Sequence, residues 1–308
     1  MHCPSLSELP QPPSGKDGWP WTGQSPSLPD KMPDGRPWPK ISVVTPSYNQ
    51  GNYIEETIRS VLLQSYPNLE YVIIDGGSTD NSVEIINKYE AWLTYWVSEK
   101  DRGQSHAINK GLKHATGDIF HWLNSDDQFT QGALEAAARA VRSEPDAVAW
   151  AGSCARVDPD GRILSVVRPQ GLTKDELANW ATNQIYQPAC FIEMETLRDI
   201  GGLDESLYIA FDFDLWLKLA DKGRLAKVDS ELAKAIVHPE AKTQADHHLI
   251  AYEHVAVLFR HGCYAQAKDY ITRMARSEVE LRKKIERVTS NPVFKLLRPL
   301  LKRMGLVG

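Results

Sequence analysis

The chain is poor in cysteine, has no long apolar run and carries no excess of basic charge, and each shortage removes a class of protein. Its four cysteines, Cys3, Cys154, Cys190 and Cys263, stand far apart. With no Cys-x-x-Cys pair and no dense spacing, they do not form the disulfide framework that staples small secreted domains. Reduced thiols in a cytoplasmic protein are expected. No stretch approaches the roughly 20 apolar residues of a membrane span, and the N-terminus lacks the charged-then-apolar layout of a secretion signal. Lysine and arginine number 35 against 40 aspartates and glutamates, a formal charge of -5. No overall basic field draws such a chain to nucleic acid, which is excluded as a partner. What is present is core material: 308 residues, 42% of them hydrophobic, suffice for a large domain.

Residues 1–39 are crowded with proline, glycine and serine, and Trp19, Trp21 and Trp38 fall in no helical or strand period that would bury them. They read as a leader with exposed tryptophans, wrapped at most on a domain surface. Regular structure begins with the β-branched run Ile41-Ser42-Val43-Val44-Thr45, which stops at Pro46 and a polar turn. Ile54, Ile58, Val61 and Leu62 then fall at helical spacing behind Glu55 and Glu56, acids suited to a first turn. The unit repeats. Tyr71 to Ile74 form a buried strand ending at Asp75, Gly76-Gly77 turn, and Asp80 caps a helix bearing Val83, Ile86 and Tyr89. A third strand over 93–97, a helix over 104–114 and a fourth strand over 119–123 continue the alternation, which predicts an α/β fold with a parallel sheet. Ligands of such sheets bind at the carboxyl ends of the strands, so the loops at 46–51, 75–80, 99–104 and 124–128 share one rim. Beyond residue 130 the pattern loosens into a helix over 133–141, a strand over 147–151, a hairpin turning at 158–161 and a helix over 212–221. Two more helices are expected over 244–261 and 264–288.

Asn124-Ser125-Asp126-Asp127 follows a buried strand and sets adjacent carboxylates on that rim. Oxygen donors suit hard cations such as Mg²⁺ or Mn²⁺, which bind through one or two carboxylates plus substrate phosphates. The same residues would also make an ordinary capped turn. Asp75 is open to two readings as well: a turn residue bonding its own backbone, or an acceptor for a nucleobase N–H with Pro46 and Tyr48 walling the base. Gly76-Gly77 is not the phosphate-binding Gly-x-Gly-x-x-Gly, which disfavours a dinucleotide dehydrogenase.

The runs ISVVTPSYNQ, EYVIIDGGSTDNS, SEKDRGQSHAINKGLKHATGD and WLNSDD, in that order, resemble the family 2 glycosyltransferases of GT-A fold over about residues 40–240. The resemblance implies a Rossmann-like, mostly parallel central sheet flanked by helices, with residues 241–308 as a helical, basic and amphipathic extension. It implies an inverting enzyme that moves one sugar from a nucleoside-diphosphate sugar, UDP favoured, to a saccharide or lipid-linked saccharide. Bacterial-type cell-surface polysaccharide or glycolipid synthesis would be the setting. Pro46, Tyr48, Asn49, Asp75 and Ser78 become the nucleoside pocket, while Asp101, Gln104, Asn109, Asn124 and Ser125 lie beside the nucleotide and donor sugar. Asp126 takes the metal-holding place of the family's Asp-x-Asp motif, with Asp127 as its supporting or alternate partner at the metal and Mn²⁺ or Mg²⁺ as the cofactor. Asn124 departs from that motif's first aspartate.

On the acceptor side, Phe211-Asp212-Phe213-Asp214 resembles the segment that supplies the family's catalytic base. Asp212 aligns with that base, Asp214 is the alternate, and either could instead only cap a helix. Phe211 replaces the usual acidic neighbour. His238 is a further candidate beside the metal, against the plainer reading of a satisfied histidine. The rival readings are a catalytically inactive nucleotide-sugar-binding scaffold, suggested by Asn124 and Phe211, and a nucleotidyltransferase, which lacks its glycine-rich basic loop here. The tail that carries Phe294, Lys295, Leu297 and Arg298 offers a peripheral contact with the inner face of the plasma membrane, or a helix packed on protein.

Overall fold

The computed structural model describes residues 3–180, 183–238, 241–242 and 247–290. The chain divides into two compact units after Val257. The first holds strands β1 (Ile41–Ser47), β2 (Leu69–Asp75), β3 (Tyr95–Ser98), β4 (Ile119–Trp122), β5 (Asp127–Phe129), β6 (Ala147–Val157), β7 (Ile163–Val167), β8 (Cys190–Glu193) and β9 (Arg224–Ile236). Between them run helices α1 (Ile54–Leu62), α2 (Ser82–Lys88), α3 (Gln104–His114), α4 (Ala133–Ser143), α5 (Lys174–Ala178), α6 (Met194–Asp199) and α7 (Phe211–Lys222). Helix α8 (His247–Arg260) follows, and α9 (Tyr264–Ser290) belongs to the second unit. No helix among the described residues is long and apolar enough to cross a membrane. Of the tail proposed for membrane contact, Arg282, Lys283, Lys284 and Arg287 lie on α9, whereas residues 291–308 lie outside the described residues, as do His238's neighbours Pro239 and Glu240.

The strands form one sheet in the order β3-β2-β1-β4-β8-β6-β9-β5, with β7 beside β6. Strands β1 to β4 pair in parallel, and every residue of β1, β2 and β4 is buried. Such two-sided burial is why these strands are near-continuous apolar runs rather than alternating ones. The sheet is mixed beyond them: β8 runs antiparallel to β4 and β6, β7 and β5 are antiparallel to their neighbours, and β6 and β9 are parallel. Helix α3 lies close on β1 because residue 111 is glycine; a Cβ there would stand 2.3 Å from Val44 Cγ1.

The leader's tryptophans are not exposed as expected. Trp21 and Trp38 are 4% and 2% exposed and Trp19 is half-buried. Each indole N–H has an acceptor: Phe129 O at 2.8 Å for Trp19, Glu56 Oε1 at 2.9 Å for Trp21 and Pro29 O at 2.8 Å for Trp38. Their rings can therefore be buried without orphaning a donor. The fully buried guanidinium of Arg59 on α1 gathers the leader by donating to Pro10 O (2.9 Å), Pro20 O (3.1 Å) and Trp21 O (2.9 Å). Tertiary hydrogen bonds of this kind leave no period in the sequence.

Candidate active site

At the carboxyl ends of the parallel strands the β1–α1, β2–α2 and β3–α3 loops and the segment after β4 enclose a cavity of about 580 Å³. Pro46, Tyr48, Asp101, Gln104, Asn124, Ser125 and Asp126 line it. Tyr48 is 61% exposed and offers a free ring face. Gly76 has no Cβ because one would meet Asp101 Oδ2 at 2.7 Å, and Asp101 Oδ1 in turn accepts from Gly103 N–H at 2.8 Å.

The remaining candidates of this group brace the cavity without lining it. Asp75 is fully buried: Oδ2 accepts from the N–H groups of Gly77 (3.1 Å) and Ser78 (2.8 Å) and from Ser98 Oγ (2.6 Å), while Oδ1 accepts from Ser78 Oγ (2.5 Å). This is the turn-building arrangement. Asn49 has φ of 52° and its Oδ1 accepts from Thr79 N–H at 2.8 Å, stitching the first loop to the second. Asn109, expected beside the nucleotide and donor sugar, points elsewhere. Its amide clasps Leu203, accepting from the N–H at 3.0 Å and donating to the carbonyl at 2.9 Å, and donates to Glu205 at 3.0 Å.

After β4, Asn124 is a junction. Its Oδ1 accepts from Gln104 at 2.7 Å and its Nδ2 donates to Asp127 Oδ2 at 3.0 Å and to Gln187 at 3.3 Å. The sequence places Asp127 in a loop, yet it opens β5, opposite Ala235 of β9. It is 6% exposed, and burial first, then the Asp126 charge, pushes its carboxyl well above the usual range. Asp126 remains at the rim, its Oδ2 3.0 Å from Nε2 of a buried His238 whose ring stacks on Tyr53 at 4.4 Å.

Among the described residues no three His, Cys, Asp or Glu side chains could hold a metal by themselves. One rim carboxylate with an imidazole nitrogen beside it is nonetheless a fitting donor set for an ion that takes its other ligands from phosphate oxygens and water.

A second cavity, of about 340 Å³, adjoins the first and shares Gln104, Asn124, Asp126 and Lys242 with it. Its walls include Trp122, Trp180, Tyr186, Phe211 and Arg156, and Asp212 opens into it from the first turn of α7. Burial pushes the Asp212 carboxyl up to about 6, against the opposing pull of the Phe213 N–H and the Lys242 charge. Asp214 lines neither cavity: it is fully buried and paired with Lys218 at 2.7 Å. Lys242, Tyr208, Arg156 and Trp180 escape the sequence reading. They come from four separate segments, and nothing in the spacing of any one of them signals a site. Lys242 donates to Tyr208 O, and its ammonium stands 3.9 Å from the centre of that residue's ring.

The profile of the family described as glycosyl transferase family 2 matches residues 42–192. Bacillus subtilis TuaG, a glycosyltransferase assigned provisionally to teichuronic acid biosynthesis, is 32% identical over 191 residues, 60% of this chain and 73% of its own. The chain belongs to glycosyltransferase family 2. Longer relatives exist: this family 2 chain spans 66% of an uncharacterized glycosyltransferase of Rickettsia typhi and 35% of one from Rickettsia felis. The fold is that of the GT-A glycosyltransferases. Staphylococcus aureus TarS 1-349, solved with UDP-GlcNAc, superposes with a TM-score of 0.57 at 21% identity, covering 71% of this chain and 66% of TarS 1-349. The mannosyltransferase PcManGT of Pyrobaculum calidifontis, solved with GDP-Man and Mn²⁺, gives 0.56 at 19% identity over 89% and 86%. The family profile ends before Asp212, His238 and Lys242, and of these only Lys242 is picked out by geometry alone.

Proposed function

We propose that this chain transfers one sugar from a nucleoside diphosphate, with UDP favoured, to a hydroxyl of a saccharide or lipid-linked saccharide, inverting the anomeric carbon. The observation that carries the reading is the pair of adjoining cavities, with Asp126 on their common edge and Asp212 in the smaller one. The larger cavity would take the donor, a reading supported by the nucleotide sugars in the TarS and PcManGT structures. Pro46 and Tyr48 would flank the base while Asp75 holds the turn that presents Gly76 and Gly77. Kinship with TuaG supports a role in cell-surface polysaccharide synthesis.

In the reaction Asp212 accepts the proton of the acceptor hydroxyl and that oxygen attacks the anomeric carbon. The bond from that carbon to the diphosphate breaks on the opposite face, and the nucleoside diphosphate leaves with the electron pair. A carboxyl tuned to about 6 is ionised at neutral pH yet more basic than an exposed aspartate, as general-base catalysis favours. Mn²⁺ or Mg²⁺, held by Asp126 with His238 beside it, would supply positive charge to the leaving diphosphate. Gln104 and Asn124, hydrogen-bonded to each other across the common edge, would orient the donor sugar, and positioning carries much of the remaining barrier.

The test is a thermal-shift panel of UDP, GDP and their sugars with Mn²⁺, Mg²⁺ or chelator. A ligand at about 100 times its dissociation constant adds roughly 2.7 kcal/mol. A metal-dependent shift with one nucleotide, lost in Asp126→Asn, is the expected result. Absence of any nucleotide shift would overturn the donor reading, and nucleotide binding without transfer or donor hydrolysis would favour the inactive scaffold.

A further inference from the structure

The smaller cavity holds a cation that the reaction above does not use. Arg156 lies on β6, half-buried, in its wall. Among the described residues its guanidinium makes no ion pair and no hydrogen bond, although Asp127 and Asp212 line the same cavity. Its five N–H donors open onto the cavity and are free to meet the acceptors of a ligand bound there.

The sheet explains how the space arises. Arg156 of β6, Ala235 of β9 and Asp127 of β5 are register partners across three neighbouring strands, so their side chains share one face. The small Ala235 between the two charged residues leaves room above β9. Tyr186 stands within reach of both charges: burial pushes its phenol up, Arg156 draws it down, and Asp127 and Asp212 add to the rise. Trp180, packed edge-on against Phe213 and His254 at centroid distances of 5.2 Å, gives the cavity an aromatic wall of the sort a sugar ring lies against. The cavity thus offers an apolar surface, a base and, apart from that base, one uncommitted guanidinium.

Building on the glycosyl-transfer reading, we infer that Arg156 binds an anionic group of the acceptor, a carboxylate or phosphate, and that the enzyme therefore selects acidic saccharide acceptors. A guanidinium meets either group with two parallel N–H donors. Its place in the acceptor cavity and outside the donor cleft makes it a specificity residue and leaves nucleotide binding to others.

Calorimetric titration of the full chain with UDP and Mn²⁺ present tests this with three probes: p-nitrophenyl glucoside, p-nitrophenyl glucuronide and glucose 6-phosphate. At least one acidic probe is expected to bind about tenfold or more tighter than the neutral glucoside. The stronger of the two acidic probes identifies the source as a uronate or a phosphate. Arg156→Gln should erase the preference and leave UDP binding unaltered, and Arg156→Lys should restore part of it. Equal affinity for all three, no binding by any of them at millimolar concentration, or a preference that survives Arg156→Gln would overturn the inference. If Arg156 serves only to balance the carboxylates, Arg156→Gln would shift the pH–rate profile and leave acceptor preference alone, which counts against it as well. Failure of UDP and Mn²⁺ to bind the wild-type chain would instead strike the donor reading, so the two failures are distinguishable.

Discussion

Replacing Asp212 with asparagine should inactivate the enzyme and at the same time make it more stable at alkaline pH. Burial raises the carboxyl from 3.8 to about 6, roughly two pK units, and at about 1.36 kcal/mol per unit the folded state carries a cost near 3 kcal/mol when Asp212 is ionised. That is an upper bound, because water in the cavity screens the charge and the asparagine amide must itself be desolvated. The folded chain binds the proton more tightly than the unfolded one. Stability therefore falls as pH rises through the window from about 4 to 6, and the full cost persists above it. An amide at this position never ionises, so Asp212→Asn should exceed wild type by about 1–3 kcal/mol at pH 8, worth several degrees in a domain of this size, with the gap closing near pH 4. Scanning calorimetry of ligand-free protein at pH 4, 6 and 8 measures it. In parallel, transfer should drop by about 10²-fold or more with donor binding nearly unchanged, and the wild-type rate should climb with pH through about 6. A variant less stable than wild type at pH 8, or a stability gap that ignores pH, would refute the desolvated carboxylate. Retained transfer would place the base elsewhere.

Two further substitutions probe the scaffold. Arg59→Ala removes a buried cation that bonds three leader carbonyls and Tyr89 Oη. It should cost about 3–5 kcal/mol in denaturant unfolding and make residues 10–22 protease-sensitive, whereas undiminished stability would mean the leader is not tied down through this residue. Gly111→Ala sets two effects against each other: alanine favours a helix by about 1 kcal/mol, but its methyl would lie 2.3 Å from Val44 Cγ1, and overpacking costs about 1–3 kcal/mol. A net loss is expected, relieved by adding Val44→Ala, and a stabilised single variant would show that α3 can lift from β1.

The two halves of the site differ in how far the sequence reveals them, and topology is the reason. The larger cavity is built from loops that end consecutive strands, so an apolar run such as Tyr71 to Ile74 marks both a strand and the place of the loop that follows. Pro46, Tyr48, Asp101, Gln104 and Asp126 can be named from that logic together with the family resemblance, and all line the cleft. The same logic overreaches at Asn109. Its helix forms over 104–114 as the periodicity predicts, but helical rotation turns position 109 toward Leu203 and away from the cleft. Strand β5 leaves no mark in the sequence because three residues carry no period; Asp127 becomes a strand residue only through its pairing with Ala235 of a segment more than a hundred positions away. The smaller cavity repeats that situation throughout. Arg156, Trp180, Asp212 and Lys242 come from a strand, a turn, a helix start and the segment that follows β9, and their chemistry exists only where these segments meet. A cavity built from loops at consecutive strand ends is legible in the sequence, whereas one assembled from distant segments is not, because no local period marks the residues that meet there.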